Sequence, residues 1–396
     1  MTSKASPSTP TARSGLALLA LLWLAGLYLR VPVLVAPALA PFVAEDLGLS
    51  QALTGALTTL PVFMLAVGAM PGSLAISRIG PRATLAIALV VTALGSALRG
   101  LAPEAMTLMA ASTLMGLGIA AMQPALPALL RVWLTPDRLA LGTAVYMNGM
   151  LMGEFIGAGV TLPVMMPLMD DSWRWTLIGW SVPAFLVAAA LFLPRERVSG
   201  GTAEADPWLP DWKNPLTWRL GVLLGASGGL FFGTNAYMGN VLEQRGSLDA
   251  LDSALFWLNL AQVASSLIML KMARQWVGRP RVIFLMLMIA IVTLALFLLT
   301  EGLVSIVFVF MMSFTAGIML ILLVALPPQV ARAGETGRLA AGNFTIGYTL
   351  SFGVPMLGGL VADLTGQANH AVLAMLIYGL LVMPIAWTLQ LPTRNH

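Results

Sequence analysis

Arg30 and Glu154 are the two ionisable residues that stand where charge is expensive. Arg30 lies inside an apolar stretch running from Gly15 to Val43, and Glu154 lies inside another that ends near Pro167. A charged side chain near the centre of a bilayer costs about 2.5 to 3.5 kcal/mol even on the lenient scale, so each needs a partner or a task. An arginine offers a planar fork of donors suited to a carboxylate or a small anion, and a glutamate can take up or release a proton according to its surroundings. Counted from the same side, Arg30 is about fourteen residues into its stretch and Glu154 about fifteen. At 1.5 Å per residue they share a depth of roughly 21 to 23 Å. Two readings stay open: an ion pair that only orients two helices, or a binding centre for a solute. Both hold if a ligand opens the pair.

Other chemistries find little support. The chain has no cysteine, and His370 and His396 are its only histidines. Disulfides, thiolate metal sites and thiol nucleophiles are therefore excluded. A zinc protease would need H-E-x-x-H, and a Ser-His dyad would need a buried histidine. No catalytic residue, metal or cofactor is expected, and an enzyme is not the reading. The methionines at Met147, Met150, Met152, Met165 and Met166 are read as adaptable filler rather than a soft-metal site. The net charge of +4 raises the question of nucleic acid, but the cations sit in alternate loops and form no patch.

The elements that position these residues follow from composition. Hydrophobic residues make up 58% of the chain and charged residues 10%, far below the roughly 25% charged of a soluble domain. The 396 residues accommodate about twelve spans of roughly 20 residues or more. We place them at 16–43, 52–76, 83–100, 105–132, 139–167, 174–194, 218–242, 253–275, 282–300, 303–330, 339–363 and 371–391. Pro32, Pro37, Pro124, Pro127, Pro327, Pro328 and Pro355 fall inside as tolerated kinks. The polar start with Lys4 and Arg13 could pass for a signal peptide, but Arg30 in the apolar stretch and Pro41 right after Ala38 to Ala40 argue for a retained first helix.

Lysine and arginine set the expected orientation, because cytoplasmic loops retain them. With a cytoplasmic N-terminus, the other side holds only Arg99, Arg174 and Arg245. Both termini are then cytoplasmic. The single long polar stretch, Arg195 to Thr217, divides the chain into a tail at 1–14, a bundle at 15–194, a linker at 195–217, a bundle at 218–391 and a tail at 392–396. The halves repeat at a shift of 198 to 200 residues: EDLGLSQALTGAL from Glu45 matches EQRGSLDALDSAL from Glu243, Gly80 matches Gly278, Pro127 matches Pro327, and RLALG from Arg138 matches RLAAG from Arg338. Four matches in the same order read as an internal parallel repeat.

The string LYLRVPVLVAPALAPFVAEDLGLS from Leu27, followed by TGALTTLPVF from Thr54, resembles the opening of the cyanate and 2-nitroimidazole permeases, a family of the major facilitator superfamily. The likeness continues through GLGIAAMQPALPALLR from Gly116, WRWTLIGW from Trp173 and NFTIGYTLSFGVPMLGGLVADLTG from Asn343. It implies an all-α membrane protein of twelve transmembrane helices in two six-helix bundles. SLAISRIGPR from Ser73 is similar to the superfamily's gating loop, with Arg78, Gly80 and Arg82 kept and Ser73 and Ser77 in place of its Gly and Asp. Gly149, Gly153, Gly157 and Gly159 resemble the antiporter glycine element, but Glu154 replaces its proline. We read these glycines, and Gly353, Gly358 and Gly359, as close helix contacts.

In the resembled fold the cavity is lined mainly by helices 1, 4, 7 and 10, with 2, 5, 8 and 11 contributing. The candidate solute contacts are then Arg30, Tyr28, Gln123, Asn148, Asn235, Tyr237, Asn343 and Tyr348, with Asn259 and Gln262 in the wider pool, and Glu154 is the candidate proton-coupling group. Structural hydrogen bonds between helices are the competing role for each amide. The expected function is secondary active transport of a compact anion or weak acid of the cyanate type across a bacterial cytoplasmic membrane, by alternating access and with a proton as candidate coupling ion. Export of neutral nitro-heterocycles is the alternative transport reading, and a sensor or scaffold the non-transport one. The expected partners are solute, lipid and proton, not nucleic acid, and the monomer is the fold's default state.

Overall fold

The computed structural model describes residues 12–135, 138–193, 210–331 and 336–391. Most of the 1–14 tail, most of the 195–217 linker and the 392–396 tail lie outside them. Every regular element among the described residues is helical. The N-terminal six positions are α1 (Ala12–Leu27) with α2 (Val31–Leu47), α3 (Gln51–Ile79), α4 (Pro81–Gly100), α5 (Ala105–Trp133), α6 (Leu139–Gly159) with α7 (Met166–Leu168), and α8 (Trp173–Ala190). The C-terminal six are α9 (Pro215–Gly228) with α10 (Thr234–Gln244), α11 (Leu251–Trp276), α12 (Pro280–Leu299), α13 (Gly302–Ala325) followed by the short α14 (Pro327–Val330), α15 (Thr336–Thr365) and α16 (Asn369–Trp387).

Ten of these helices are long and apolar enough to cross a membrane, eleven if the bent α6/α7 pair is one span. The twelfth position belongs to α8, where Trp173, Arg174, Trp175 and Trp180 dilute the apolar run. In the N-terminal bundle α3 and α4 pack on α5, α4 on α8, and α1 and α2 on α6. In the C-terminal bundle α9 packs on α15, α11 and α12 on α13, and α16 on α12 and α15. The bundles meet along α3 against α15, α6 against α11 and α2 against α10.

The internal repeat is visible in backbone geometry. Gly48 and Gly246 have φ of 62° and 68°, and Gly80 and Gly278 have φ of 80° and 84°, so the same left-handed turns recur in both halves, where glycine avoids the Cβ penalty.

The first span differs from the expected continuous helix 16–43: it breaks at Tyr28, Leu29 and Arg30. Pro32, in the first turn of α2, lacks an N–H, and its ring crowds the carbonyl four residues back. The chain responds with tight turns, Leu29 N–H donating to Gly26 O at 3.0 Å and Arg30 N–H to Leu27 O at 3.1 Å. The equivalent place in the other half carries a wide π turn, Gly229–Gly233, between α9 and α10. A second such turn, Thr161–Met165, follows α6, and the span there bends by 58°. The tenth span also stops short of the expected 303–330, because Pro327 starts the separate α14.

The glycines of α6 act as expected: a Cβ at Gly149 would overlap the Trp23 carbonyl oxygen and one at Gly153 that of Leu27. In α15 the expectation holds for Gly358 and Gly359 but not for Gly353, where a Cβ would meet nothing within 4 Å.

Contacts between bundles gather toward the face that carries the α2–α3 and α10–α11 connections, called the far face below. Asp363 of α15 accepts from the Gln51 and Ala52 amides at 2.6 and 3.0 Å, capping the start of α3 from the opposite bundle. Deeper in, Phe63 stacks on Phe352 with ring centroids 5.0 Å apart, and Phe155 meets Phe256 edge-on at 5.0 Å.

Candidate functional site

Arg30 owes its position to the helix break. It sits at the N-cap of α2 with φ −128° and ψ −34°, so its side chain leaves the backbone where the spiral of α1 has ended. It is 3% exposed, and Glu154 is 2% exposed. Glu154 reaches it because Gly153 beside it lets α6 lie directly on the α1 backbone. Arg30 Nε donates to Glu154 Oε1 at 3.0 Å. The expected equal depth of the two charges is therefore realised as a buried ion pair. From the other bundle Phe232, in the π turn, lies under the guanidinium with its centroid 5.5 Å away, and Tyr348 lines the same cavity.

These residues line a cavity between the bundles, together with Ser227, Gln262 and Ser351 of the C-terminal half. It leaves about 20 Å³ for the centres of water molecules, room for one or two. A cation, a carboxylate, a phenol and several hydroxyl or amide groups thus converge on a space of one or two waters. Among the described residues no group of three or more His, Cys, Asp or Glu could hold a metal ion.

Of the expected contacts, Arg30, Glu154 and Tyr348 come together here, and Gln262 of the wider pool joins them. The others lie elsewhere, all but Gln123 with hydrogen bonds of their own. Tyr28 donates to the Trp180 carbonyl at 3.1 Å, and Asn148 accepts from Trp23 Nε1 at 2.9 Å on an exposed part of α6. Asn235 donates to Phe231 O at 3.0 Å and accepts from Asn259 at 2.8 Å. Tyr237 donates to Pro355 O at 2.9 Å in a slot walled by Gly55 and Gly359, and Asn343 donates to Leu323 O at 3.4 Å. Gln123 is half-buried on α5 and is not among the cavity residues. In the loop signature Arg78 is exposed, Gly80 makes the left-handed turn, and Arg82 donates to Leu191 O at 2.6 Å and covers Phe192. That loop therefore ties α4 to the end of α8 within one bundle.

Sequence reasoning missed Arg99. It counts as an outer-side cation in the sequence, yet it is 1% exposed and donates to Pro32 O at 2.8 Å and to Met115 Sδ at 3.2 Å. Its signal was an arginine at the end of an apolar span on the side poor in cations. Arg174 and Arg245, the other two, also hold helix-end carbonyls: Arg174 those of Gly100 and Ala102, Arg245 those of Phe297, Leu298 and Thr300. Ser227 and Ser351 were missed too, since a serine that bonds a helix carbonyl gives no hydropathy signal.

Two packed bundles of membrane-length helices enclosing a cavity lined by a buried ion pair define a polytopic membrane transporter. The chain belongs to the Major Facilitator Superfamily, whose family model matches residues 16–354. It is 26% identical over 378 residues to the cyanate transport protein CynX of Escherichia coli (strain K12), across 93% of this chain and 96% of that protein. It is 25% identical over 362 residues to the 2-nitroimidazole transporter of the same organism, across 89% and 90%. Among solved structures it resembles a bacterial homologue of the human lysosomal transporter Spinster in an inward-facing and occupied conformation, with TM-score 0.76, 13% identity and coverage of 96% and 97%. It also resembles a D-xylose-proton symporter, with TM-score 0.72, 14% identity and coverage of 95% and 98%. At these identities the structures speak for the fold alone.

Proposed function

We propose that this transporter moves a compact anion or weak acid of the cyanate type, binding it at Arg30 in the cavity between the bundles and coupling its passage to a proton through Glu154. The observation that carries this reading is the Arg30–Glu154 pair, buried in apolar surroundings yet lining that cavity. A purely architectural pair has no need of a cavity. The small space favours a small solute, and the likeness to a cyanate transport protein points the same way. In the empty carrier Arg30 holds Glu154 ionised. A solute anion competes for the guanidinium, Glu154 loses part of its partner and takes up a proton, and little net charge then crosses. Alternating access would come from rocking of the bundles about the cavity.

Export of a neutral nitro-heterocycle is the second reading, favoured by the likeness to a 2-nitroimidazole transporter. In either case we propose a bacterial cytoplasmic membrane, as the family likeness implies, the monomer that is the fold's default, and both termini inside on the strength of the lysine and arginine distribution.

The test is solute uptake by purified protein in liposomes, using labelled small anions. Arg30→Ala should abolish saturable uptake. Arg30→Lys should raise the half-saturation concentration by at least about tenfold, because an ammonium lacks the planar fork. Wild-type affinity in both variants would remove Arg30 from the site. Saturable cyanate uptake separates the first reading from the second.

A further inference from the structure

The polar groups around the cavity are unequally committed. Ser227 donates to Ala316 O at 2.8 Å, Ser351 to Gly347 O at 2.8 Å, and Gln262 Nε2 to Ser313 O at 3.0 Å. These donors are already engaged inside the C-terminal bundle. On the other wall, Arg30 Nε and Glu154 Oε1 satisfy each other. Arg30 Nη1 and Glu154 Oε2, however, are buried without a hydrogen-bond partner among the described residues, and no other side-chain atom of the residues that line the cavity is in that condition. The first can only donate; the second, while ionised, can only accept.

One ion pair thus leaves one donor and one acceptor on adjacent side chains, beside room for one or two waters. Water is donor and acceptor at once and suits both. A solute that displaces it without reproducing both bonds loses affinity. While Glu154 is still ionised, a bare anion meets half of this requirement, since it takes the Arg30 donor but sets its own charge against the carboxylate. A solute that carries a proton on the atom facing Glu154 meets all of it.

We infer that, on the transport reading above, the solute is held at two points: a lone pair on Arg30 Nη1 and an N–H or O–H donor on Glu154 Oε2. The class is a compact weak acid bound with its proton in place, either an oxyacid monoanion that retains a hydroxyl or an N–H acid of similar size. The proton coupled through Glu154 is then shared with the solute across this hydrogen bond.

Hydrogencarbonate and nitrate test this, being planar, singly charged and alike in shape, three oxygens around one central atom, with an O–H on the first alone. Each is titrated calorimetrically into the purified full-length chain in detergent, at a pH where hydrogencarbonate predominates. Hydrogencarbonate should bind at least about tenfold more tightly, as sites built around a ligand hydroxyl discriminate. In Glu154→Gln, whose amide can donate to a lone pair, the preference should shrink or invert, and Arg30→Ala should lose both ligands. Equal affinities in the wild type, or tighter nitrate, overturn the two-point inference, and that comparison needs no variant to fold. If the equal affinities still depend on Arg30, the anion site survives and the donor subsite alone falls. If neither anion binds and Arg30→Ala changes nothing, both readings fall.

Discussion

A buried ion pair is poor evidence of stability, because desolvating both charges offsets most of their attraction, while removing one partner costs about 3 to 5 kcal/mol through the charge left behind. The Arg30–Glu154 pair is therefore better understood by what its loss would uncouple. Glu154→Gln keeps an acceptor for Arg30 Nε and mimics the protonated acid. In liposomes this variant should still exchange solute across the membrane but should no longer accumulate it in response to an imposed proton gradient. Retained proton-driven accumulation would return the pair to an architectural role, orienting α6 against α1. Arg99 differs in kind: no carboxylate forms an ion pair with it among the described residues, and its bond to Pro32 O holds the α2 backbone two residues beyond Arg30.

At the scale of the element, the site depends on two irregularities placed at equivalent points of the repeat. The break before Pro32 turns Arg30 inward, and the π turn at Gly229–Gly233 brings Phe232 beneath it. The glycines of α6 then fix how closely the helix with Glu154 approaches the helix with Arg30. Gly153→Ala would force a Cβ into the Leu27 carbonyl oxygen, and overpacking of this kind costs about 1 to 3 kcal/mol. The variant should unfold at a lower temperature in detergent and, because the helices must separate, lose solute affinity as well. Gly353→Ala is the control. Its Cβ would meet nothing within 4 Å, and alanine is the better helix former by about 1 kcal/mol, so stability should be unchanged or slightly raised.

Over the whole molecule, the bundles lean together at the far face, and part of that closure is electrostatic. Asp363 caps α3 across the interface, a contact of the kind worth about 1 kcal/mol. If it exists only while the far face is closed, Asp363→Ala should shift the equilibrium about fivefold toward the far-open state. A cysteine replacing Ser351 in the cavity should then react faster with an impermeant thiol reagent supplied from the far side; an unchanged rate would make the cap incidental. The orientation is open to the same method, since the chain has no cysteine. Single cysteines in the 195–217 linker should label only from the cytoplasmic side, and one at Asp171 only from outside.

Hydropathy, charge placement and repetition are properties of local sequence, and they determined the span pattern, the two-bundle division and the short list of charges that had to be explained. Arg30 and Glu154 stood out because burial of charge in lipid is costly wherever the chain goes afterwards. Even their common depth followed from the rise of a helix. What tertiary structure alone decided is where hydrogen bonds go. Tyr28, Asn235, Tyr237 and Asn343 carry polar groups as Tyr348 does, yet theirs bond to neighbouring helices while Tyr348 lines the cavity beside Arg30. Arg99 reads as an outer cation until α2 is seen to bring the Pro32 carbonyl to it. Gly353 and Gly359 are the same residue in the same helix, but only one has a neighbour. Such differences turn on helix rotations and separations of an ångström or two. Periodicity constrains a helix to a face and a depth; the partner that a side chain finds there depends on residues far away along the chain.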